Sequence, residues 1–340
     1  MADEVVVQQA LPLGNWDDLL GHQQERLRLV RGGSFASLLF SGPQGLGKRL
    51  LAAWYGAHVN CQSPPAGPPW SCSCSNCRLV LKNSHPDVIW LERSPGKLSL
   101  GVADARELIH HLYLKPYQAR SRVCIISEAE RLTEEAQSAL LKTLEEPPDS
   151  NLLILVASQE SKLLPTVQSR CRITRFRPVE DVELMGWLEA KGCPAEAAAR
   201  YAGLAQGSPG RAVQLWEQPA LWEALETLLD ALQELPGCSL GRCLELAARC
   251  ETLKVPGLDG RAQLEWILHN SQAYFRDALL VKAGVPHVIH RHRLALLEEL
   301  VKKQPQVQGW LKILQESQDY ATANVNTRLL LQDLFLKLRR

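Results

Sequence analysis

One stretch constrains this chain more than any other: SLLFSGPQGLGKRLLAAWYGAHV, Ser37 to Val59. SLLFS is a short apolar strand, GPQGLG a glycine turn, and KRLLAAWYGAHV a helix with apolar residues at helical spacing. Strand, glycine turn and helix in that order form the setting in which the pattern G-x-x-x-x-G-K-[ST] cradles phosphate. Gly42, Gly45, Gly47 and Lys48 supply a loop of this kind, with Gly42, Gly47 and Lys48 on the fixed positions. The position that should be Ser or Thr is Arg49.

Further strands follow. SRVCIIS, Ser121 to Ser127, and NLLILVAS, Asn151 to Ser158, are short apolar runs, and between them EEAQSALLKTLEE predicts a helix stopped by Pro147 and Pro148. Strands alternating with helices imply a parallel α/β sheet covered on both faces. After RCRITRFRPVED the strand signals fade. VELMGWLEAKG, PAEAAARYAGLAQG and GRAVQLWEQ are short helical stretches, and from about Pro219 the helices are longer and amphipathic, broken at ELPGCS, KVPGLDG, AGVPH and KKQPQ. The expected domains are 1–178, α/β; 179–218, small and helical; and 219–340, larger and all-α.

In a working loop of this type the backbone N–H groups and the helix N-terminus hold phosphate, and the lysine reaches the outer groups. A Ser/Thr hydroxyl and a carboxylate after a neighbouring strand hold Mg²⁺. Here Arg49 replaces the hydroxyl and Ser127 stands where the carboxylate is expected, although Glu128 follows it. A guanidinium cannot ligate Mg²⁺. The sequence therefore predicts no Mg²⁺ site and no competent ATPase. It leaves open whether the loop is a structural turn or still binds nucleotide without hydrolysing it.

The stretch CQSPPAGPPWSCSCSNC places Cys61, Cys72, Cys74 and Cys77 in one Pro/Gly-rich insertion, residues 61–77. Four thiolates suit tetrahedral Zn²⁺, and C-x-x-C at Cys74 and Cys77 is a natural bite for it; Cys72 and Cys74 stand one residue closer than usual. Four protein ligands leave no open position, so a structural zinc is expected rather than a catalytic one. The chain has 10 cysteines, and others such as Cys124 and Cys193 are scattered like small buried hydrophobes. A formal net charge of +1 announces neither nucleic acid nor membrane, so any nucleic-acid contact must be local. MADEVVVQQALPLGNW has neither a basic start nor a long apolar run, and no apolar stretch is long enough to span a bilayer, so a cytoplasmic location without membrane association is expected.

At SALLKTLEEPPDSNLLILVASQESKLLPTVQSRCRITRF the chain resembles the AAA+ clamp-loader subunits of bacterial DNA polymerase III. The resemblance is carried by LLKTLEEPP at Leu140 to Pro148 and SRC at Ser169 to Cys171. SHPD at Ser84 to Asp87, the cysteine insertion, GSPGRA at Gly207 to Ala212 and LLGHQ at Leu19 to Gln23 support it. These span about two thirds of the chain. The last third is similar in helicity, with ANVNTRLLLQDLFLKL like the family's final collar helix.

The resemblance implies a RecA-like AAA+ sheet domain with a zinc insertion, then a helical lid, then an all-α collar. It implies a hetero-oligomer with tau/gamma and delta subunits that opens a sliding clamp and closes it on primed DNA. The tau/gamma type keeps an intact GK[ST] loop, an acidic pair after its second strand and a GS-x-R sensor arginine. This chain has Arg49 and Ser127 at the first two places, and Gly210 in the sensor slot with Arg211 displaced by one. It is thus more similar to the delta-prime type, whose SRC arginine reaches the ATP of a neighbouring subunit; that maps onto Arg170. A tau/gamma-like ATPase, and a zinc-stabilised nucleic-acid-binding module acting alone, remain the alternatives.

Overall fold

The structure is a computed structural model that describes residues 16–32, 36–64, 72–94, 97, 99–148, 151–258, 260–285, 288–304, 307–322 and 326–339. Most of the N-terminal stretch, residues 65–71 of the cysteine insertion and parts of the breaks at KVPGLDG, AGVPH and KKQPQ lie outside the described residues. The chain divides into two compact units, 1–180 with 208–210, and 181–207 with 211–340.

The first unit runs α1 (Gln23–Arg31), β1 (Ser37–Ser41), α2 (Lys48–Val59), α3 (Ser75–Leu81), β2 (Val88–Leu91), α4 (Val102–Tyr113), β3 (Val123–Ile126), α5 (Glu134–Glu145), β4 (Leu152–Ala157), α6 (Pro165–Gln168) and β5 (Arg172–Arg175). The strands form one sheet in the order β2-β3-β4-β1-β5, and every pairing is parallel. The side-chain period of 2 divides each strand between two cores. Leu38 and Phe40, Val123 and Ile125, and Leu152, Ile154 and Val156 face one core, where Leu29 of α1, Trp54 of α2 and Val80 of α3 cover them. Leu39, Cys124, Ile126, Leu153 and Leu155 face the other, under Leu108 of α4, Leu140 of α5 and Val167 of α6. A strand buried on both faces must be apolar throughout, which is why SLLFS, VCII and LLILVA are unbroken runs.

β2 and β5 complete the sheet beyond the strands anticipated from sequence. β2 is only VIWL, and β5 is RITR, an edge strand with exposed arginines at both ends. Neither gives a pattern long enough to stand out.

The SHPD segment has a structural role. Asp87 is fully buried, and its carboxylate accepts N–H bonds from Tyr117 (2.7 Å), Gln118 (2.9 Å) and Ala119 (2.9 Å), and one from the Arg122 guanidinium (3.1 Å). Burial pushes its pKa up, but these donors and the adjacent cation outweigh burial and hold it below the ordinary carboxylate value. One side chain thereby fixes the approach from α4 to β3.

The second unit is helical: α7 (Asp181–Ala190), α8 (Ala195–Ala205), α9 (Pro209–Glu217), α10 (Pro219–Glu234), α11 (Leu240–Glu251), α12 (Gly260–Lys282), α13 (Leu294–Lys303), α14 (Val307–Thr322) and α15 (Thr327–Leu338). Its core gathers leucines of α10 and α11 with Tyr274 and Phe275 of α12, Trp310 of α14 and Phe335 of α15. Asp277 is buried within it and accepts both the backbone N–H (2.7 Å) and Nδ1 (2.8 Å) of His290. Among the described residues, no helix is long and apolar enough to cross a membrane.

Candidate functional site

The glycine loop leaves β1 at the end of the sheet where the strands finish. Its backbone needs glycine at defined places. Gly42 has φ of 140°, and a Cβ there would meet the Phe176 carbonyl oxygen at 2.5 Å. Gly47 has φ of 80° at the N-cap of α2, with the Leu19 side chain against it. Gly42, Gly45, Gly47 and Lys48 are thus brought together in the shape the sequence calls for.

The chain itself engages this loop. Lys48 is buried, and its Nζ donates to the carbonyl oxygens of Gly42 and of Pro43 (2.5 Å). Burial lowers its pKa to about 8. The Ser208 hydroxyl donates to the Gln44 carbonyl at 3.1 Å, and the Gly210 N–H donates to the Gly45 carbonyl at 2.9 Å. A Cβ on Gly210 would stand 3.1 Å from the Gly45 backbone. The residue in the sensor slot is therefore glycine where its backbone meets the loop. Arg211 donates instead to Asn270 Oδ1 at 2.8 Å, inside the helical unit.

The place of the Mg²⁺ groups is filled by a different chemistry. Arg49 pairs with Glu92 at 2.6 Å, and its guanidinium lies 5.0 Å from the centre of the Trp90 ring. The Ser127 hydroxyl donates to the same Glu92 oxygen at 3.1 Å. Glu92, one residue past β2, was not singled out from the sequence, since no metal-loop pattern assigns that position a role. Arg49 and Ser127, which depart from the loop pattern separately, converge on it.

The four cysteines come together as expected. The Sγ atoms of Cys61, Cys72, Cys74 and Cys77 all lie within 4.8 Å of one another, with Cys61 to Cys72 at 3.4 Å and Cys61 to Cys74 at 3.9 Å. Tetrahedral Zn–S bonds of about 2.3 Å require sulfurs about 3.8 Å apart, so the donor set fits such an ion. All four are free thiols. Cys74 caps α3. Burial works against its ionisation, but the N–H groups of Cys77 and Gln62 prevail and lower its pKa to about 6. Burial raises Cys61 to about 11 and raises Cys77 as well. The quartet adjoins α2, where His58 stacks on Trp54 with ring centres 5.1 Å apart.

Arg170 stands apart from both groups. It immediately follows the turn after α6 and precedes β5, at the end of the sheet where the strands begin. Its Nε and Nη2 donate to one Glu145 carboxylate oxygen at 3.1 and 3.0 Å, and Nη1 donates to the Thr166 carbonyl at 3.1 Å. The chain's own glycine loop lies at the opposite end of β1.

Comparison with known proteins places these features among relatives. Residues 27–180 match the family model described as "DNA polymerase III, delta subunit". The chain is 30% identical to DNA polymerase III subunit delta′ of Escherichia coli over 310 residues, 89% of this chain and 88% of that protein. It is 34% identical to subunit delta′ of Pseudomonas aeruginosa over 64% of this chain and 63% of that protein. It is also 33% identical to subunit tau of Bacillus subtilis over 44% of this chain and 26% of that protein.

Proposed function

The chain belongs to the delta-prime family of DNA polymerase III subunits, and we propose that it is the non-hydrolysing member of a cytoplasmic clamp loader that places a sliding clamp on primed DNA. Its partners in this reading are tau/gamma and delta subunits. Residues 1–178 form the AAA+ domain with the zinc insertion at 61–77, residues 179–218 the lid, and residues 219–340 the collar that joins the partners' helices.

The observation that carries the reading is the Arg49–Glu92 pair. Phosphoryl transfer depends almost wholly on positioning and on metal-assisted charge stabilisation. A cation paired at 2.6 Å with the nearby carboxylate, beside a lysine turned onto its own loop carbonyls, supports a subunit that does not hydrolyse ATP. Such a subunit contributes to catalysis from outside its own loop. Arg170 is the candidate: a planar cation at the far end of the sheet, able to stabilise charge on the γ-phosphate held by a neighbour. Glu145 positions it until that partner is present.

The cysteine quartet would hold a structural Zn²⁺. When bound, the ion cross-links a Pro/Gly-rich insertion that has little core of its own, and the four thiolates close its coordination.

Reconstitution tests the proposal. The purified chain is mixed with tau/gamma and delta proteins, and assembly, clamp loading and ATP turnover are measured. A stable complex that loads clamp only with this chain, while the chain alone turns over no ATP, is the expected result. Mg²⁺-dependent hydrolysis by the chain alone would assign it to the ATPase type instead. Tight DNA binding with no assembly would make it an independent nucleic-acid module.

A further inference from the structure

Among the described residues, Cys124, Cys171, Cys193, Cys243 and Cys250 lie outside the cysteine quartet and are buried, whereas Cys238, also outside it, is only half-buried. Cys238 stands beside Cys243, and the local fold puts the two together. The connection from α10 to α11 turns at Gly237, with φ of 76°. Ser239 then caps α11, its hydroxyl accepting the Arg242 N–H at 3.2 Å. At a helix start of this kind the residue before the cap packs against the fourth residue of the helix. Those two positions are Cys238 and Cys243. Apolar side chains ordinarily make the contact. Here two thiols make it, and their side chains are hydrogen-bonded to each other.

The surroundings give the two sulfurs different parts. Cys243 belongs to the core of the helical unit, with Leu246 of α11 and Leu338 of α15, while Cys238 packs against that core from its edge. Burial raises the pKa of Cys243 and the neighbouring Cys238 adds to the rise, although the Arg339 charge opposes it. Arg339 is held nearby, since its carbonyl accepts the Gly237 N–H at 2.9 Å. A small solute can therefore reach Cys238 but not Cys243, and Cys243 waits behind it as a protonated thiol.

We propose that Cys238 and Cys243 form a reversible redox site, a dithiol that hydroperoxides oxidise to a disulfide. The Cys238 thiolate attacks one oxygen of hydrogen peroxide. An S–O bond forms, the O–O bond breaks, and the departing hydroxide takes up the proton that Cys238 released, giving water. Cys238 is now a sulfenic acid. The Cys243 sulfur attacks the Cys238 sulfur, the S–S bond forms, the S–O bond breaks, and hydroxide leaves with the Cys243 proton as a second water. The two thiols have lost two electrons and two protons, and peroxide has gained them. A dithiol reductant reverses the reaction by exchange. The cross-link spans the first turn of α11 and fixes it to the turn whose Gly237 holds the end of α15. The site rests on the geometry of the helical unit and is independent of the clamp-loader reading.

The test treats the folded full-length chain with a small molar excess of hydrogen peroxide. Remaining thiols are alkylated before denaturation, and the chain is cut with trypsin and mapped by mass spectrometry. Trypsin cleaves after Arg242, between the two cysteines, so their cross-link joins two separate peptides. The expected result is a disulfide between the peptide ending at Arg242 and the one beginning at Cys243, which dithiothreitol separates. Cys243→Ser should stop the reaction at the Cys238 sulfenic acid, trapped as a dimedone adduct that the wild type does not accumulate. Cys238→Ser should lose the cross-link and leave Cys243 reduced. Mapping of the wild type decides the question even where a variant fails to fold. Alkylation of both cysteines after treatment overturns the site. So does a disulfide from Cys238 to any cysteine other than Cys243, or Cys238 carried on to sulfinic acid while Cys243 stays reduced.

Discussion

Glu145 holds Arg170 through two N–H bonds to a single carboxylate oxygen, at 3.1 and 3.0 Å. Glu145 closes α5 within LLKTLEEPP, and Arg170 is the centre of SRC, so two separate stretches that carry the family resemblance meet in one ion pair. The pair is partly exposed, and such pairs contribute little to stability, about 0–1 kcal/mol. In the proposed role of Arg170, the pair would serve to position the guanidinium.

Arg170→Ala is expected to leave the chain folded and able to assemble. ATP turnover at the one site it faces in the complex should fall by about tenfold or more, the order for a lost arginine finger. Arg170→Lys should not rescue it, because lysine lacks the planar fork. Single-site turnover in a complex with the other sites inactivated is the measurement. Unchanged turnover would mean that Arg170 is a surface residue.

The four cysteines should bind about one Zn²⁺ per chain. Elemental analysis of the purified protein reads this directly. Cys74→Ser combined with Cys77→Ser should remove the metal and loosen the insertion, seen as new proteolytic cleavage between Cys61 and Cys77, with the sheet's far-ultraviolet signal retained. A metal-free wild-type protein would refute the site.

Arg49→Thr restores the loop consensus in sequence, yet it should not restore hydrolysis. Ser127 still lacks a carboxylate, Glu92 loses its partner, and Gly210 still meets Gly45. The expected result in a steady-state ATPase assay is background turnover with Mg²⁺, together with a lowered melting temperature. Turnover well above background would show that Arg49 alone disables the loop. Lys48→Ala should leave clamp loading by the complex nearly intact.

Lys48 also makes a pH prediction. Its folded pKa of about 8 lies below its ordinary value of 10.5. Between those values the unfolded chain binds more protons than the folded one, so this group makes stability rise with pH from about 8 to 10.5. Denaturant titrations of wild type and Lys48→Met across that range should show the rise in the wild type and its loss in the variant. Parallel curves would contradict the burial assigned to this amine.

Asp87→Ala should be the most damaging of these changes. It removes the counter-charge of the buried Arg122 guanidinium, which keeps only the His111 and Lys115 carbonyls, and the acceptor of the N–H groups of 117–119; breaking a buried pair of this kind costs about 3–5 kcal/mol. In the wild type the stabilisation is complete above the unfolded carboxylate pKa and is lost as pH falls through the lower folded value. Urea midpoints at neutral and acid pH test both statements. A variant as stable as wild type at neutral pH would exclude Asp87 as the anchor of that segment.

What the sequence made legible follows from periodicity. β1 and α2 coincide with the strand and helix read around the glycine loop, because a doubly covered strand is an unbroken apolar run and a following helix changes the period. The cysteine quartet was legible because its members lie close together in the chain. The Arg49–Glu92–Ser127 grouping was not, since its members lie far apart in sequence and only the parallel order β2-β3-β4-β1 brings their loops to one end of the sheet. The position of Gly210 against Gly45 was invisible for the same reason. β5 was missed because an edge strand need not be apolar.

That edge has a further consequence. β5 pairs with β1 and with no other strand among the described residues, so it presents an open row of backbone donors and acceptors. Such rows template aggregation when they are flat and apolar. Here both ends of the strand carry exposed arginines, Arg172 and Arg175. Two copies meeting edge to edge would crowd like charges along the new seam. Growth of the sheet through β5 is thus disfavoured by the charge the strand carries at its ends.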